Sequence, residues 1–316
     1  MGIFAKLQSI EYALPENVQN NEFLVKDMTM DWTAEEIFSK TGINSRHIAL
    51  AEQRASDMAL VAAEKLFENN IGLREKIDYI IFCSQSPDYV LPATACLLQT
   101  RLGLRKKCGA FDINQGCSGF IYGLSIAKGV IESGQAQNVL LLNAETYSKY
   151  LDKADKTTRT IFGDGAAASW LTAETSEQAF IEGFEFGTNG QGANNLIVQK
   201  GRPLFMDGPE IFQFTLQVVP KTVKGILQRS EMAVEEVDYF VFHQANMFIL
   251  EHLRKKLKIP AEKFVTDMAD IGNTVSASIP IAIKRAEDRG ILVPGNTVLI
   301  VGFGVGYSWG GCLIKL

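Results

Sequence analysis

The feature that most constrains the fold is an internal repeat, because its copies lie about 160 residues apart in a chain of 316 residues. Three segments of the first half recur in the second half: 77–83 as 237–243, 138–142 as 297–301, and 111–114 as 271–274. The offset stays at 159 or 160 residues in all three pairs. Self-similarity at one fixed spacing predicts a duplicated architecture, in which each half builds the same arrangement of strands and helices.

Helical patterns separate these strand-like runs. Apolar residues at helical spacing occupy 56–68, 118–132, 212–227 and 248–257. Strands that alternate with helices of this length indicate an α/β protein with helices covering the sheets, so each half is expected to contribute one sheet. The charged stretch 149–159 marks the division between the halves. It predicts an N-terminal half over 1–160 and a C-terminal half over 161–316.

Charge and composition argue against several classes of function. A net charge of −5 and an isoelectric point near 5.4 leave no broad positive field for nucleic acid. No apolar run approaches the ~20 residues of a membrane span, and the first residues lack the apolar core of a signal peptide. A cytoplasmic protein without nucleic-acid or membrane partners is therefore expected. Five widely spaced cysteines and three histidines predict neither a disulfide framework nor a metal site.

Cys117 is the cysteine whose surroundings favour chemistry. The strand-like run 111–114 is followed by Gln-Gly, the cysteine and an apolar helical pattern, which places the thiol at a helix N-terminus. Free backbone N–H groups and the helix dipole favour an anion there, so a thiol whose ordinary pKa is about 8.5 is expected to shift toward thiolate. Cys83, Cys96 and Cys312 are interpreted as small apolar residues instead.

Two polar residues of the second half join this cysteine as candidates. His243 ends a predicted strand, the position at which α/β proteins place function, although a single histidine there is more often structural. Asn273 follows a glycine, and Gly-Asn alone indicates a turn. The repeat strengthens both, because it brings corresponding loops of the two halves together. A cysteine, a histidine and an asparagine suit acyl transfer, in which a thiolate attacks a thioester and neutral donors stabilise the oxyanion.

Over essentially its whole length the chain resembles β-ketoacyl-acyl-carrier-protein synthase III, a condensing enzyme of the thiolase superfamily. The motifs that carry the resemblance are the Cys117 loop, 162–166 (FGDGA), 243–246 (HQAN), 272–274 with 276–278, and the glycine-rich end around Trp309. The resemblance implies a thiolase-like α/β fold, with two pseudo-duplicated halves in a layered α-β-α-β-α architecture. It also implies a homodimer.

The same resemblance implies a reaction and roles for the candidate residues. Cys117 would accept an acyl group from a thioester, and His243 with Asn273 would stabilise the enolate formed when a malonyl group loses CO2. The backbone N–H groups of Cys117 and Val305 would form the oxyanion hole, with valine where the family usually has glycine. No permanently bound cofactor is implied. The substrates would be phosphopantetheine thioesters, namely acyl-coenzyme A or acyl carrier protein for loading and malonyl carrier protein for condensation, in fatty acid, polyketide or related metabolism.

The expected substrate contacts follow from the resemblance and in part depart from the family. Glu36 and Lys40 stand where relatives carry an adenine-stacking tryptophan and an arginine, so weak coenzyme A binding and an acyl donor on a carrier protein are expected. Leu91 matches the position at which a partner subunit closes the acyl pocket. Basic residues of one helix can either dock an acidic carrier protein or form a solvated face. The expected substrate and carrier contacts are Lys40, Lys156, Phe248, Asn246, Gly208, Leu91, Arg254, Lys255 and Lys256.

Other functions stay open on the sequence alone. An acyltransferase on the same scaffold would pass the acyl group from Cys117 to an amine, hydroxyl or thiol without decarboxylation. A papain-like protease orders cysteine, histidine and asparagine in the same way, but the repeat and the missing Cys-Gly-Ser-Cys-Trp signature argue against it. A catalytically inactive partner subunit tends to lose its nucleophile. A thiolase proper would carry a second catalytic cysteine where this chain has Val305 and Gly306.

Overall fold

The computed structural model describes residues 1–28 and 31–316, and its strands build two large sheets and two small ones. The strands are β1 (Gly2–Ala13), β2 (Val18–Asn20), β3 (Ser45–His47), β4 (Tyr79–Cys83), β5 (Gly109–Ile113), β6 (Asn138–Glu145), β7 (Gly165–Ser176), β8 (Ile181–Thr188), β9 (Leu196–Val198), β10 (Leu204–Met206), β11 (Tyr239–Phe242), β12 (Phe264–Val265), β13 (Thr297–Gly304) and β14 (Ser308–Lys315).

Four of the helices fall where apolar periodicity predicts them. The helices are α1 (Asn21–Met28), α2 (Ala34–Thr41), α3 (Ala55–Asn69), α4 (Thr94–Arg101), α5 (Gly119–Glu132), α6 (Lys156–Arg159), α7 (Gly208–Arg229), α8 (Met247–Lys256) and α9 (Ser278–Asp288). The four helices expected from the sequence correspond to α3, α5, α7 and α8, within a few residues at each end. Both α2 and α7 begin at a polar side chain that accepts a hydrogen bond from a backbone N–H of the first turn.

The two large sheets have equivalent topologies. The first has the order β1-β7-β6-β4-β5 and the second has the order β8-β14-β13-β11-β12. In each sheet the last three strands are parallel to one another, and the first three alternate in direction. The predicted duplication is therefore confirmed for two of the three repeated segments, β4 with β11 and β6 with β13. The prediction for the third segment is wrong, because 111–114 lies largely in the strand β5 whereas 271–274 is loop. The counterpart of β5 in the second sheet is the shorter β12.

The predicted division at residue 160 does not coincide with the change of sheet. β7 lies beyond that residue, yet it pairs antiparallel with both β1 and β6 of the first sheet. The chain enters the second sheet only at β8, so the change falls between Ser176 and Ile181. The charged stretch 149–159 is a surface connection that precedes the last strand of the first sheet.

Apolar side chains from the two faces of each sheet form three hydrophobic cores. These cores hold together five layers, three of helices and two of sheet. One core joins Ile81 of β4 and Val241 of β11 to residues of α5 and α9, so these two helices lie between the sheets. Ile80 and Phe82 face the opposite way, toward α3 and α4. α7 and α8 cover the outer face of the second sheet. The expected α-β-α-β-α layering is thus confirmed, and it follows from strands whose alternate residues are buried on both faces.

Candidate active site

Three loops converge on one cavity of about 240 Å³, and each loop follows a strand of one of the large sheets. The loop after β5 brings Cys117, the segment after β11 brings His243, and the loop between β12 and α9 brings Asn273. All three side chains line the cavity, and the three residues are 6%, 2% and 4% exposed. The structure therefore brings together the three residues that the sequence analysis singled out, from both halves of the repeat.

The Cys117 thiol lies two residues before α5 and against a glycine of β13. A Cβ atom placed on Gly304 would stand 2.8 Å from the sulfur, so only glycine leaves room for the thiol there. The backbone N–H groups of Cys117 and Val305 approach the sulfur closely enough to lower its pKa. These are the two backbone groups expected for an oxyanion hole.

The protonation state of this thiol differs from the sequence-based expectation. Burial, together with the nearby carboxylate of Glu145, raises the pKa of Cys117 to about 12, and the two backbone N–H groups offset this only in part. The expected shift toward thiolate is therefore wrong. Removal of water from the thiol outweighs the favourable field of the helix N-terminus, because a thiolate in an apolar cavity loses most of its hydration.

His243 is held as a neutral imidazole in a defined orientation. Burial lowers its pKa to about 3, and a backbone contact with Val275 offsets this only in part. Ring atom Nδ1 lies 2.7 Å from the hydroxyl of Ser278, and the backbone N–H of Gln244 donates to the same hydroxyl at 3.4 Å. We assign the hydroxyl proton to the bond with Nδ1, because this arrangement leaves the other ring nitrogen of the neutral imidazole as the donor. The histidine proton then sits on Nε2, which faces the cavity.

Asn273 presents its amide nitrogen beside that ring atom. Its Oδ1 accepts a hydrogen bond of 2.9 Å from the backbone N–H of Val275, which leaves Nδ2 as the group facing His243, 3.5 Å from Nε2. Two donors at this distance do not bond each other. They are free to donate together to one oxygen atom of a ligand.

The 162–166 motif holds the Asn273 loop from one side. Gly163 donates its backbone N–H to the carbonyl oxygen of Asn273 at 3.0 Å, and Asn273 donates to the carbonyl oxygen of Ile161 at 2.9 Å. A Cβ atom on Gly163 would approach the carbonyl oxygen of Ile271 to 2.3 Å, so this position requires glycine. Asp164 ties the motif to the first half by accepting from the backbone N–H of Ala49.

An aromatic side chain that the sequence analysis missed stands at the mouth of the cavity. Trp32 lines it together with Lys40, and the ammonium group of Lys156 lies 4.6 Å from the centre of the tryptophan ring. Glu36 is instead engaged in the cap of α2, where its carboxylate accepts from the backbone N–H of Thr33. The expected loss of an aromatic face at this mouth is therefore wrong. The Thr33-x-x-Glu36 capping box, a recognisable helix start, was the available signal that Trp32 precedes the helix.

The remaining predicted contacts divide into those at the cavity and those outside it. Gly208 and Asn246 line the cavity. Phe248 is 51% exposed and packs against Phe212 and His252, away from the lining. Leu91 is 79% exposed on the surface.

The basic residues of α8 are not equally available to a partner. Arg254 pairs with Glu251 on the same helix, and Lys256 donates to the carbonyl oxygen of Leu216 at 2.8 Å. The side chain of Lys255 is 71% exposed, and its ammonium group pairs loosely with Glu251, at 3.8 Å. Of the three residues, it therefore carries the charge most available to a partner.

No group of three or more histidine, cysteine, aspartate or glutamate side chains within 1–28 and 31–316 is arranged to hold a metal ion. In the same ranges no helix combines the length and the apolar character needed to cross a bilayer.

Comparison with known proteins identifies the family of this chain. Residues 111–190 match the family model described as 3-oxoacyl-[acyl-carrier-protein] synthase III, and 227–316 match the model of its C-terminal region. A β-ketoacyl-[acyl-carrier-protein] synthase III of Clostridium perfringens is 38% identical over 328 aligned residues that cover 99% of both chains.

Solved structures give the same result. A crystal structure of a 3-oxoacyl-(acyl-carrier-protein) synthase III superposes with a TM-score of 0.96 at 44% identity, covering 99% of this chain and 100% of the other. The priming β-ketosynthase of the R1128 polyketide pathway superposes at 0.93 with 29% identity, covering 99% and 96%. The thiolase-like fold is thereby confirmed. The chain belongs to the β-ketoacyl-acyl-carrier-protein synthase III family and is a condensing acyltransferase of fatty acid or polyketide synthesis.

Proposed function

We propose that the protein loads an acyl group onto Cys117 and then condenses it with a malonyl thioester, using His243 and Asn273 in the second step. The observation that carries this proposal is the pair of side-chain donors, Nε2 of His243 and Nδ2 of Asn273, that stand 3.5 Å apart in the cavity containing the thiol. A transferase that only moved acyl groups would need an oxyanion hole at the thiol. It would have no use for a second donor pair.

In the loading step the sulfur of Cys117 attacks the carbonyl carbon of an acyl thioester. Negative charge develops on the carbonyl oxygen, within reach of the backbone N–H groups of Cys117 and Val305. The carbon–sulfur bond to the carrier then breaks, and the proton of the cysteine thiol ends on the carrier thiol. Because the resting thiol is protonated, loading is expected to require the bound substrate rather than a standing thiolate.

In the condensation step a malonyl thioester loses CO2, and the electron pair of the broken carbon–carbon bond moves onto the thioester oxygen. His243 and Asn273 donate to that enolate oxygen. The carbanion attacks the acyl-cysteine carbonyl carbon, the carbon–sulfur bond to Cys117 breaks, and the departing thiolate takes up a proton from solvent. A neutral imidazole suits this role, since it can donate from Nε2 without carrying a charge into a buried cavity.

The mouth of the cavity suits a phosphopantetheine thioester. The ammonium groups of Lys40 and Lys156 lie 5.2 and 4.6 Å from the centre of the Trp32 ring, and Lys156 also pairs with Asp31 at 2.6 Å. A ring flanked by cations fits a nucleotide with phosphates, so coenzyme A thioesters join carrier-protein thioesters as donors to be tested. The exposed charge of Lys255 supports acyl carrier protein as a partner.

A homodimer is also part of the proposal. Val90 and Leu91 project from the surface after β4, at 101% and 79% exposure, and apolar side chains this exposed are suited to burial against a second subunit. Sedimentation of the purified protein across a range of concentrations tests this point. Dimers are expected, and a monomer at all concentrations would contradict it.

The test of the reaction is a balance of products. Wild-type protein given an acyl donor and malonyl carrier protein should release one CO2 for each β-ketoacyl thioester formed. An acyltransferase on this scaffold would consume the acyl donor and release no CO2. That result, with intact malonyl thioester recovered, would overturn the proposal.

A further inference from the structure

A buried carboxylate that the proposed reaction does not use lies at the end of β6. Glu145 is 0% exposed, and it does not line the cavity that contains Cys117. Its partners among the described residues are hydroxyl groups and a backbone N–H rather than a cation. Buried carboxylates without a cation are uncommon, so this one calls for an explanation.

The donors to this carboxylate come from both halves of the repeat. Three belong to the segment directly after β4: the backbone N–H of Gln85 at 3.1 Å and the hydroxyls of Ser86 and Ser84 at 2.8 and 3.4 Å. The fourth is the hydroxyl of Ser276, at 2.8 Å, from the second half. Four donors therefore converge on the two carboxyl oxygens, which satisfies both oxygens without a cation.

The bond from Ser276 reaches the loop that carries the catalytic carboxamide. Ser276 lies three residues after Asn273, in the turn that leads into α9. On its other side the same loop is fixed to the 162–166 motif through the backbone bonds of Ile161 and Gly163. The start of the loop is also bonded to the first half, where the backbone N–H of Asn44 donates to the carbonyl oxygen of Ala269 at 2.6 Å. Glu145 holds the other end of the loop, next to α9.

We propose that Glu145 is a positioning residue for the decarboxylation step, acting through Ser276 to hold the Asn273 loop of the second half against the strand ends of the first half. The inference rests on the proposed function, because it assigns decarboxylation to Asn273. Neither Glu145 nor Ser276 touches the substrate. Their effect is exerted on the placement of one donor of the pair, which must meet an oxygen within a few tenths of an ångström.

The test compares two serine variants that remove hydrogen bonds of equal length to the same carboxylate. Ser276→Ala removes the bond between the halves, whereas Ser86→Ala removes a bond within the first half. Ser86 also accepts from the backbone N–H of Thr146 and lies 3.3 Å from the hydroxyl of Ser84. The Ser276 hydroxyl has one further contact, 3.5 Å from the carbonyl oxygen of Cys83, so Ser86→Ala costs one contact more. Both half-reactions are measured on each protein: loading of Cys117 by intact-protein mass spectrometry, and CO2 release from malonyl carrier protein.

Ser276→Ala is expected to reduce CO2 release about tenfold or more, with loading of Cys117 within about twofold of wild type. Ser86→Ala is expected to change CO2 release less than Ser276→Ala, even if it lowers thermal stability more. Ser276→Thr, which retains the hydroxyl, should recover most of the CO2 release. This recovery keeps the test valid if the alanine variant folds poorly.

Two results would overturn the inference. Equal losses of CO2 release in Ser276→Ala and Ser86→Ala would show that the network only stabilises the fold. Parallel losses of loading and CO2 release in Ser276→Ala would show the same. Failure of the proposed function is distinguishable, because it appears in the wild type itself as loading without any CO2 release.

Discussion

Replacing Glu145 with glutamine should change how stability depends on pH. Burial raises the pKa of Glu145 to about 7 from an ordinary value of 4.5, although four hydrogen-bond donors oppose the rise. Between these values the folded protein still holds the proton that the unfolded chain has released. The group therefore stabilises the fold at low pH, and this contribution is lost as the pH rises through about 7.

The size of the effect follows from the gap between the two pKa values. At about 1.4 kcal/mol per pH unit, the free energy of unfolding should fall by roughly 3 kcal/mol between about pH 4.5 and about pH 7.5 through Glu145 alone. Glu145→Gln keeps the side-chain shape but cannot titrate. Any stability that the glutamine amide loses by facing the four donors is the same at every pH. It therefore cancels when the free energy of unfolding of one protein is compared between two pH values.

Urea unfolding of both proteins, at matched concentration and at several values between about pH 5 and about pH 8, measures this difference. The wild type is expected to lose stability relative to Glu145→Gln as the pH rises, by roughly 2 to 3 kcal/mol over that range. Other titrating groups are shared by the two proteins and drop out of the comparison. Parallel curves would refute the reasoning and show that the carboxylate is fully solvated or already balanced by its donors.

Three other changes test the site directly. Ser278→Ala should lower CO2 release about tenfold with little effect on loading, because Nδ1 of His243 loses the hydrogen bond that fixes its tautomer. Loading and CO2 release are assayed separately, and equal losses in both steps would contradict this. Gly304→Ala should reduce loading by about 100-fold or more, because its Cβ would stand 2.8 Å from the sulfur, and normal acylation in the mass spectrum would contradict this. Trp32→Ala should raise KM for acyl-coenzyme A about three- to tenfold, whereas Phe38→Ala, an exposed position on α2, should not; equal KM values in the two variants would argue against the ring.

The repeat made the grouping of the three candidate residues in one cavity predictable. Corresponding loops of a duplicated fold meet at the same end of the sheets, so Cys117, His243 and Asn273 could be expected together although more than 150 residues separate the first from the last. The prediction that 271–274 repeats the strand at 111–114 was wrong, because twelve residues lie between β12 and α9 but only five between β5 and α5. That extra chain forms the loop of Asn273.

The protonation of Cys117 could not be read from the sequence. The local pattern showed the helix N-terminus, which favours thiolate, but not the depth of burial or the carboxylate of Glu145, which oppose it. Both depend on tertiary packing. Trp32 was missed for a different reason. The resemblance to the family placed the expected aromatic residue four positions later, at Glu36, which instead caps α2.

The division of the chain was also set by tertiary pairing. A boundary near residue 160 suited the charge pattern, but β7 returns to the first sheet to pair with both β1 and β6. The pairing with β1 joins residues more than 150 positions apart, from Gly2 opposite Ser176 to Ala13 opposite Ala166. A local pattern in the sequence does not report such partners.

The central claim is that Cys117 carries the acyl group, and peptide-level mass spectrometry of protein quenched after exposure to an acyl thioester tests it most directly. The account predicts an added acyl mass on the peptide that contains Cys117, absent from Cys117→Ala and removed from the wild type by malonyl carrier protein. Acylation of Cys117→Ala to the same extent, or a modification confined to Cys96 or Cys108, would contradict it.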